Sequence, residues 1–380
     1  MAGIQRNLLH FYTSGTTGKP KGVQRDVGGY AVALATSMDT IFGGKAGGVF
    51  FCASDIGWVV GHSYIVYAPL LAGMATIVYE GLPTWPDCGV WWKIVEKYQV
   101  SRMFSAPTAI RVLKKFPTAE IRKHDLSSLE VLYLAGEPLD EPTASCEQYA
   151  GCAGHRQLLA DRIRLADYGD CSRSGRQADA SGSPGVPMYG YNVQLLNEVT
   201  GEPCGVNEKG MLVVEGPLPP GCIQTIWGDD DRFVKTYWSL FSRPVYATFD
   251  WGIRDADGYH FILGRTDDVI NVAGHRLGTR EIEESISSHP GVAEVAVVGV
   301  KDALKGQVAV AFVIPKESDS LEDRDVAHSQ KAIMALVDSQ IGNFGRPAHV
   351  WFVSQLPKTR SGKMLRRTIR RFAKDAILGI

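Results

Sequence analysis

The stretch "VWWKIVEKYQVSRMFSAP", residues 90–107, joins two contrasting hydrophobic patterns. In its first part, "VWWKIVEKYQV", apolar side chains recur at the three- and four-residue spacing of a helix with one buried face. The remainder, "RMFSAP", is a short apolar run that ends at a proline, which is typical of a buried strand. We therefore predict a helix that leads directly into a strand of a covered sheet.

The same alternation extends outward from this stretch. Apolar runs that predict strands lie at residues 47–54 ("GGVFFCAS"), 75–81 ("ATIVYEG") and 129–138 ("LEVLYLAGEP"). Strands that alternate with helices at this spacing favour a mostly parallel sheet with both faces covered. From Ser183 to Tyr259 the chain changes to short strands and turns, which favour antiparallel pairing.

The C-terminal part has a self-contained pattern. It predicts a helix near 279–288, strands in "VAEVAVVGV" and "QVAVAFVIP", a helix near 327–341 and a strand in "HVWFVS". Charged residues at 265–268 separate this pattern from the preceding one, and domain boundaries commonly fall at such positions. We predict an α/β protein with an incomplete large domain over residues 1–264 and a small α+β domain over residues 265–380.

The composition excludes several classes of protein. The chain has 380 residues, 45% hydrophobic and 21% charged, with a formal net charge of −1. Without a basic excess, we expect neither nucleic acid nor an anionic membrane as a partner. Seven Cys and no CxxC pair argue against a disulfide scaffold or a zinc site and favour a reducing, cytoplasmic location.

Residues 12–23, "YTSGTTGKPKGV", form a distinctive polar loop. Small residues let backbone N–H groups approach an anion, hydroxyls add donors, and lysines neutralise charge. The spacing of glycines differs from that of a Walker A loop. A polar, glycine-rich turn without a ligand is the plainer alternative for such a loop taken alone. The candidate phosphate-binding residues are Thr13, Ser14, Gly15, Thr16, Thr17, Gly18 and Lys19.

This loop resembles the phosphate-binding signature of the AMP-forming acyl-CoA synthetases, which are adenylate-forming enzymes. Further matches follow in the family's order: "DIGWVVGHSY", "AGEP", "YATFDWGIRDADGYHFILGRTDDVINVAGHRLGTREIE" and "LPKTRSGKMLRR". Together they are similar to the acetyl-CoA/propionyl-CoA synthetase branch. The resemblance covers about Tyr12–Ser145 and Gly182–Ile369, and the early half of the family's large domain has no counterpart, so we expect a chain truncated at its N terminus.

The resemblance implies a two-step activation of a short-chain acid. A carboxylate attacks the α-phosphorus of ATP and expels pyrophosphate, and the thiol of coenzyme A then attacks the acyl carbon of the adenylate. Both partners of the first step are anions, so positive charge and positioning supply most of the catalysis. We expect Mg²⁺ to arrive with ATP rather than in a dedicated protein site, so no residue is assigned as a metal ligand.

The resemblance also assigns roles to residues of the nucleotide site. Lys363 matches the lysine that bridges carboxylate and α-phosphate during adenylation; a basic surface tail is the plainer alternative, which suits Arg366 and Arg367 better. Asp250 matches the carboxylate that holds the ribose hydroxyls. The other matched positions are Arg265 at the ribose, Arg276 at the α-phosphate, and Gly136, Glu137 and Pro138 around the adenine and α-phosphate.

Further matches concern the hinge and the acyl pocket. Asp267 matches the hinge at which the small domain swings between the two half-reactions, and Gly274 matches a position beside the coenzyme A channel. The acyl pocket is matched by Val59, Val60 and Ala135. Since Ala135 is smaller than the valine of the acetate enzymes, the resemblance implies that propionate is favoured and acetate is still accepted.

Two other functions remain open. One is an adenylation domain that loads a carrier protein instead of coenzyme A; the motifs "DIGWVVGHSY" and "GHRLGTREIE" favour the coenzyme A branch. The other is an inactive, truncated product that binds nucleotide weakly. If the enzyme is active, Lys363 is the residue on which we expect a lysine acyltransferase and a deacylase to act, because the family is controlled in this way.

Residues 146–180, "CEQYAGCAGHRQLLADRIRLADYGDCSRSGRQADA", do not fit their surroundings. They contain five Arg, no Lys and three of the seven Cys, whereas Val, Phe and Trp are missing. The family motif Tyr/Trp-x-x-Thr-Glu, whose Thr contacts the α-phosphate and whose Glu contacts the metal and phosphates, belongs here and is missing. A polar loop is the plainer explanation.

We predict instead that this segment is translated out of frame. Permitted codons for Leu158–Gly169, read one nucleotide later, spell Tyr-Trp-Gln-Thr-Glu-Ser-Gly-Trp-Pro-Ile-Met, which contains the missing motif. Codons for Cys152–Gln157 likewise yield Val-Pro-Val-Ile-Asp-Asn, a buried-strand pattern. The first two bases of most codons are fixed by the protein sequence, so a whole motif does not arise easily by chance.

Overall fold

The computed structural model describes residues 7–13, 21–113, 116–117, 119–135, 168–169, 183–272, 275–302, 305–316, 326–358 and 364–378. The strands are β1 (Asn7–Thr13), β2 (Lys21–Asp26), β3 (Val49–Cys52), β4 (Ala75–Thr76), β5 (Arg102–Ser105), β6 (Val131–Leu134), β7 (Tyr168–Gly169), β8 (Val186–Pro187), β9 (Asn192–Leu196), β10 (Gly210–Glu215), β11 (Thr225–Ile226), β12 (Val245–Arg254), β13 (His260–Arg265), β14 (Val269–Val272), β15 (His275–Gly278), β16 (Val292–Asp302), β17 (Gly306–Pro315) and β18 (His349–Phe352). The helices are α1 (Val27–Thr40), α2 (Val59–Gly61), α3 (Ala68–Leu71), α4 (Val90–Tyr98), α5 (Pro107–Leu113), α6 (Ala119–Arg122), α7 (Asp230–Tyr237), α8 (Thr279–Ser287), α9 (Val326–Gln340) and α10 (Arg366–Leu378). A π-helical segment, His62–Tyr67, joins α2 to α3, and a 3-10 turn covers Thr266–Asp268.

The helix and strand predicted at residues 90–107 are confirmed as α4 and β5. α4 buries one apolar face and ends at Gln99, which adopts the left-handed conformation with φ 51°. β5 lies inside a sheet of order β4-β3-β5-β6, in which every pair of neighbours is parallel. Trp91 of α4 packs edge-on against Phe51 of β3, with 6.2 Å between ring centroids. The amphipathic helix therefore covers the parallel sheet, and the α/β class is confirmed.

The strand predicted over residues 75–81 is much shorter in the structure. Only Ala75–Thr76 pairs with β3, at the edge of the sheet. Farther along, Ile77 and Tyr79 pack against the core of the sheet, whereas Val78 between them is 67% exposed, so only one side of this run is buried. Alternating apolar residues match both an edge strand and an extended surface segment, and the sequence pattern does not separate the two.

Antiparallel pairing dominates two other sheets. β9 and β10 pair antiparallel from Met211↔Leu196 to Glu215↔Asn192, as predicted for the region from Ser183 to Tyr259. They belong to a sheet of order β13-β12-β10-β9. β1 and β2 form an antiparallel hairpin to which β11 adds on the far side of β2. This hairpin places the polar loop of residues 14–20 between two paired strands.

The chain divides into two compact units. One comprises residues 1–248 and 252–262, and the other comprises residues 249–251 and 263–380. The predicted domain boundary at 264/265 stays a prediction. Within the residues described, no helix is both long enough and apolar enough to cross a membrane.

The second unit is a small α+β structure. Its sheet has the order β15-β14-β17-β16, with β18 added in parallel to β17. Alternate residues of β16 face opposite sides of the sheet. Val295 and Val297 belong to the core shared with α8 and α9, whereas Ala296 and Val298 belong to the core shared with α10. The predicted helices and strands of this region are confirmed, with ends shifted by only a few residues.

His260, at the start of β13, makes the first unit sensitive to acid. Its side chain is buried, and burial, aided by the charge of Arg254, lowers the pKa of His260 to about 4. In the unfolded chain a histidine takes up its proton near pH 6.5, so the folded state binds fewer protons below that pH. The stabilising effect of neutral His260 is complete above about pH 6.5 and is lost as the pH falls toward 4.

We predict that the free energy of unfolding falls by about 3 kcal/mol between pH 6.5 and pH 4 because of this residue. His260→Gln, which cannot take up a proton, should flatten the decline in urea midpoint over that range. The same substitution at the exposed His328 should leave the decline unchanged. An equal decline in the His260→Gln protein would contradict this account.

Candidate functional site

The polar loop of residues 14–20 connects the paired ends of β1 and β2, where Thr13 lies opposite Lys21. Ser14, Gly15, Thr16, Thr17, Gly18 and Lys19 lie outside the described residues. Lys21, the first residue after the loop, donates a hydrogen bond to the hydroxyl of Tyr237 and lies 5.1 Å from the centroid of that ring. Tyr237 stacks on Tyr246 with 5.1 Å between centroids. The end of the loop is therefore anchored on a buried aromatic pair.

Two of the three predicted acyl-pocket residues contact one core. Val60, in α2, and Ala135, directly after β6, are partly buried against the same cluster, which includes Tyr64 and Phe104. Val59 precedes Val60 at the start of α2, and its carbonyl accepts a 2.5 Å hydrogen bond from the hydroxyl of Ser63. The structure thus packs Val60 and Ala135 against the same apolar cluster, and their role in an acyl pocket stays a prediction.

Gly61, in the motif "DIGWVVGHSY", is needed because the backbone passes very close to it. A Cβ at this position would lie 2.3 Å from the carbonyl oxygen of Asp55 and 2.5 Å from the Cα of Ile56. No L side chain fits at those distances. The glycine therefore lets the preceding turn close against α2, which places Val59 and Val60. This role of Gly61 was not predicted from the sequence, although its place in a family motif was the available signal.

A buried hydroxyl network, which was not predicted from the sequence, joins α1 to the π-helical segment. Tyr30 and Ser63 share a 2.6 Å hydrogen bond, and Tyr64 donates a 3.0 Å hydrogen bond to Ser37. Burial raises the pKa of both Tyr30 and Tyr64, so their hydroxyls stay protonated. Arg25 lies over the Tyr30 ring, 5.6 Å from its centroid. The network fixes the π-helical segment after α2 relative to α1, and polar residues inside apolar helical runs were its only signal.

Asp250 and Arg265 come together on β12 and β13. Asp250 is only 3% exposed, and its Oδ1 lies 3.8 Å from Nε of Arg265. The residue before it, Phe249, has φ 63°, which is a strained conformation for a bulky side chain and is common at functional sites. The arrangement offers a carboxylate, held by a cation at its side, to hydroxyl donors. Carboxylate oxygens suit a vicinal diol because each accepts hydrogen bonds.

For several predicted site residues, the structure describes no side-chain position. Gly136, Glu137, Pro138, Gly274 and Lys363 lie outside the described residues, as do residues 146–167 and 170–180 of the segment predicted to be out of frame. Asp267 lies in the 3-10 turn, and Arg276 pairs with Asn271 between β14 and β15; their side chains are outside the described part.

The prediction of a solvated basic tail is wrong for Arg366. Its guanidinium donates two hydrogen bonds to the carboxylate of Glu283, from Nη1 to Oε1 at 2.5 Å and from Nη2 to Oε2 at 2.8 Å. The neighbouring Arg367 is exposed, as predicted. The pairing was missed because the two partners lie 83 residues apart, and no local pattern reports such a contact.

Comparison with known proteins places these features in a family context. A family model described as "AMP-binding enzyme" matches residues 6–221, and one described as "AMP-binding enzyme C-terminal domain" matches residues 281–363. The chain is 87% identical, over 94% of its length, to a propionate–CoA ligase of Escherichia coli and spans 58% of that protein. It is 42% identical to an acetyl-coenzyme A synthetase of Pyrobaculum aerophilum, with 97% of the chain and 54% of that protein covered.

Solved structures agree on the fold. The crystal structure of ATP-bound MatB from Rhodopseudomonas palustris superposes with a TM-score of 0.81 at 22% identity and covers 98% of this chain and 69% of that chain. At that identity the likeness establishes the fold alone. The large domain followed by a small C-terminal domain is thus a known architecture.

Proposed function

Because the chain belongs to the AMP-binding enzyme family, we propose that it supplies the catalytic part of a short-chain acid–CoA ligase. The acid's carboxylate attacks the α-phosphorus of ATP, pyrophosphate leaves, and the thiol of coenzyme A displaces AMP from the acyl-adenylate. The observation that carries the proposal is the 87% identity to a propionate–CoA ligase. The chain spans 58% of the length of that relative.

The charges of the site suit a reaction between two anions. Asp250, buried and flanked by Arg265, accepts hydrogen bonds from the ribose hydroxyls and holds the nucleotide. Backbone N–H groups and hydroxyls of residues 13–19 hold the outer phosphates. Arg276 and Lys363 bring positive charge to the α-phosphate and carboxylate, where such groups lower the barrier most. Mg²⁺ enters as part of the ATP substrate.

Coenzyme A is the acceptor in this proposal, with Gly274 beside its channel, and Asp267 is the hinge between the half-reactions. A coupled assay distinguishes coenzyme A as the acceptor from the alternative, a carrier protein. Propionyl-CoA should form with coenzyme A alone, and a phosphopantetheinyl carrier protein supplied without coenzyme A should stay unloaded. Loading of the carrier protein at a similar rate would overturn the choice of acceptor.

Propionate is the proposed substrate because Ala135, which packs against the same apolar cluster as Val60, is smaller than the valine of the acetate enzymes. A valine at position 135 would add two methyl groups. These would occupy about the volume of the one methylene group by which propionate is longer than acetate. Such a misfit discriminates between acids by about 1–3 kcal/mol, so acetate is accepted less well but is not excluded.

We predict that Ala135→Val lowers the ratio of propionate to acetate turnover about tenfold. The test uses a restored enzyme: the Escherichia coli relative with its matching part replaced by this chain, and with segment 146–180 read in the shifted frame. The ratio of kcat/KM for the two acids is measured. Ala109→Val, at a partly buried alanine of another core, controls for overpacking. An unchanged ratio in Ala135→Val would remove Ala135 from the acyl pocket.

The proposal extends to the setting of the enzyme. A cytoplasmic location suits seven cysteines without a CxxC pair. Acylation of Lys363 by a lysine acyltransferase, reversed by a deacylase, would remove its charge and stop adenylation. An inactive product is the alternative, and it is favoured for the chain as it stands if residues 146–180 are out of frame, as predicted.

A further inference from the structure

The segment that joins α2 to α3 is a π-helix, His62–Tyr67, in which the N–H of Ala68 donates to the carbonyl of Ser63, five residues earlier. π-Helical turns are rare and occur frequently at functional sites. Ser63 is completely buried, and its hydroxyl lies against the start of α2. A buried hydroxyl needs hydrogen-bond partners inside the protein, so the partners of Ser63 show which parts of the fold it joins.

The hydroxyl of Ser63 links α1 to α2 through a hydrogen-bond chain of fixed direction. Its Oγ donates to the carbonyl oxygen of Val59, one helical turn earlier, at 2.5 Å. A serine hydroxyl has one proton, so Ser63 accepts the 2.6 Å hydrogen bond that it shares with the hydroxyl of Tyr30. Burial raises the pKa of Tyr30, which keeps its proton available to donate. The chain therefore runs from Tyr30 through Ser63 to the backbone of Val59.

α2 depends on contacts from outside because it has only three residues, Val59–Gly61. A helix this short gains little from its own hydrogen bonds. On one side, the preceding turn closes on Gly61, where a Cβ would lie 2.3 Å from the carbonyl oxygen of Asp55. On the other side, the hydroxyl chain ties Val59 to α1. These two contacts set where the side chains of Val59 and Val60 lie.

Both valines are only half-buried, so part of each side chain is accessible to a ligand. Val60 and Ala135 pack against one apolar cluster, to which Tyr30 also belongs. A displacement of α2 therefore changes the space between Val60 and Ala135. In a pocket for small acids, a change of about one methylene is enough to alter the preference between substrates.

We propose that Tyr30 and Ser63 are positioning residues for the acyl pocket: their hydrogen-bond chain holds Val59 and Val60 at the spacing from Ala135 that selects propionate over acetate. This inference rests on the proposed function, in which those three side chains line the pocket. The two hydroxyls act on the acid only through α2. Loss of the chain should change the preference between acids, whereas a general loss of stability would weaken the binding of both acids equally.

A second hydroxyl chain in the same cluster provides matched controls. Tyr64 donates to Ser37 at 3.0 Å, and Ser37 donates to the carbonyl of Leu34 at 2.8 Å. These two side chains are as deeply buried as Tyr30 and Ser63, but their chain ends within α1. Tyr64→Phe and Ser37→Ala therefore make the same chemical changes as Tyr30→Phe and Ser63→Ala, and they leave the bond to the backbone of α2 in place.

The experiment uses the complete 380-residue chain with ¹³C-labelled valine methyl groups. The Val60 resonances are assigned by their loss in Val60→Ile, and their shifts on titration give a dissociation constant for propionate and one for acetate. Propionate should bind more tightly. Tyr30→Phe and Ser63→Ala should each reduce this preference at least about threefold, part of the factor that one methylene provides. The double variant should reduce it no further, because one chain is broken in each case. Tyr64→Phe and Ser37→Ala should leave the preference unchanged.

Tyr30→Phe is the mildest variant, because Ser63 keeps its bond to Val59 and no buried donor is left without an acceptor. Urea midpoints show whether each variant remains folded. An unchanged preference in Tyr30→Phe, or an equal change in Tyr64→Phe, would overturn the positioning role and leave the proposed function untouched. If neither acid shifts Val60 in the parent chain, or both acids bind equally well, the proposed acyl pocket is wrong and the positioning role falls with it.

Discussion

Replacing Lys363 by alanine in the restored enzyme should lower formation of the acyl-adenylate by on the order of 10³-fold, the scale of a lost transition-state charge contact. Conversion of preformed propionyl-adenylate to propionyl-CoA should continue at nearly the original rate, because in the proposed mechanism Lys363 serves only the first half-reaction. Pyrophosphate release measures the first step, and thioester formation from synthetic adenylate measures the second.

Two comparisons make this result specific. Arg367→Ala removes a nearby exposed charge and should leave both half-reactions unchanged. Equal loss of both half-reactions in Lys363→Ala would contradict the assignment, since it would show that the substitution damages the domain rather than one chemical step.

Returning segment 146–180 to the shifted frame should raise adenylation by on the order of 10³-fold or more relative to the same protein with the segment unchanged. The restored Thr and Glu would supply contacts to the α-phosphate and to the metal-bound phosphates, and each such contact in a transition state is worth about 10²–10³-fold. Parallel pyrophosphate-release assays on the two proteins give the ratio.

The coding DNA provides an independent check of the same prediction. Codons of Leu158–Gly169, read one nucleotide later, should spell Tyr-Trp-Gln-Thr-Glu. Any other reading would end the frameshift hypothesis, and equal activity of the two proteins would show that the segment is a tolerated loop.

Local patterns in the sequence predicted most of the fold. The spacing of apolar residues in α4 and the alternation along β16 each report burial directly, since the period of the pattern is the period of the backbone. The length of β4 was not predictable, because whether Val78 is covered depends on chain elsewhere in the fold.

The candidate site was predicted less completely. Asp250 and Arg265 were found through a family motif and lie 3.8 Å apart in the structure, although their roles remain proposals. Arg366 was missed because its partner Glu283 comes from another part of the chain, and Gly61 because its need arises from the close approach of Asp55. Contacts of this kind depend on packing in three dimensions, and they leave no local pattern in the sequence.

Exchange of labelled pyrophosphate into ATP by the restored enzyme tests the central claim, activation of a short-chain acid through an adenylate, most directly. Label should enter ATP only when an acid is present, faster with propionate than with acetate, and exchange should nearly vanish in Asp250→Ala. The equivalent change at Asp257, an exposed turn residue, should have no effect. Exchange that is absent with both acids, or that proceeds equally well without any acid, would contradict the account.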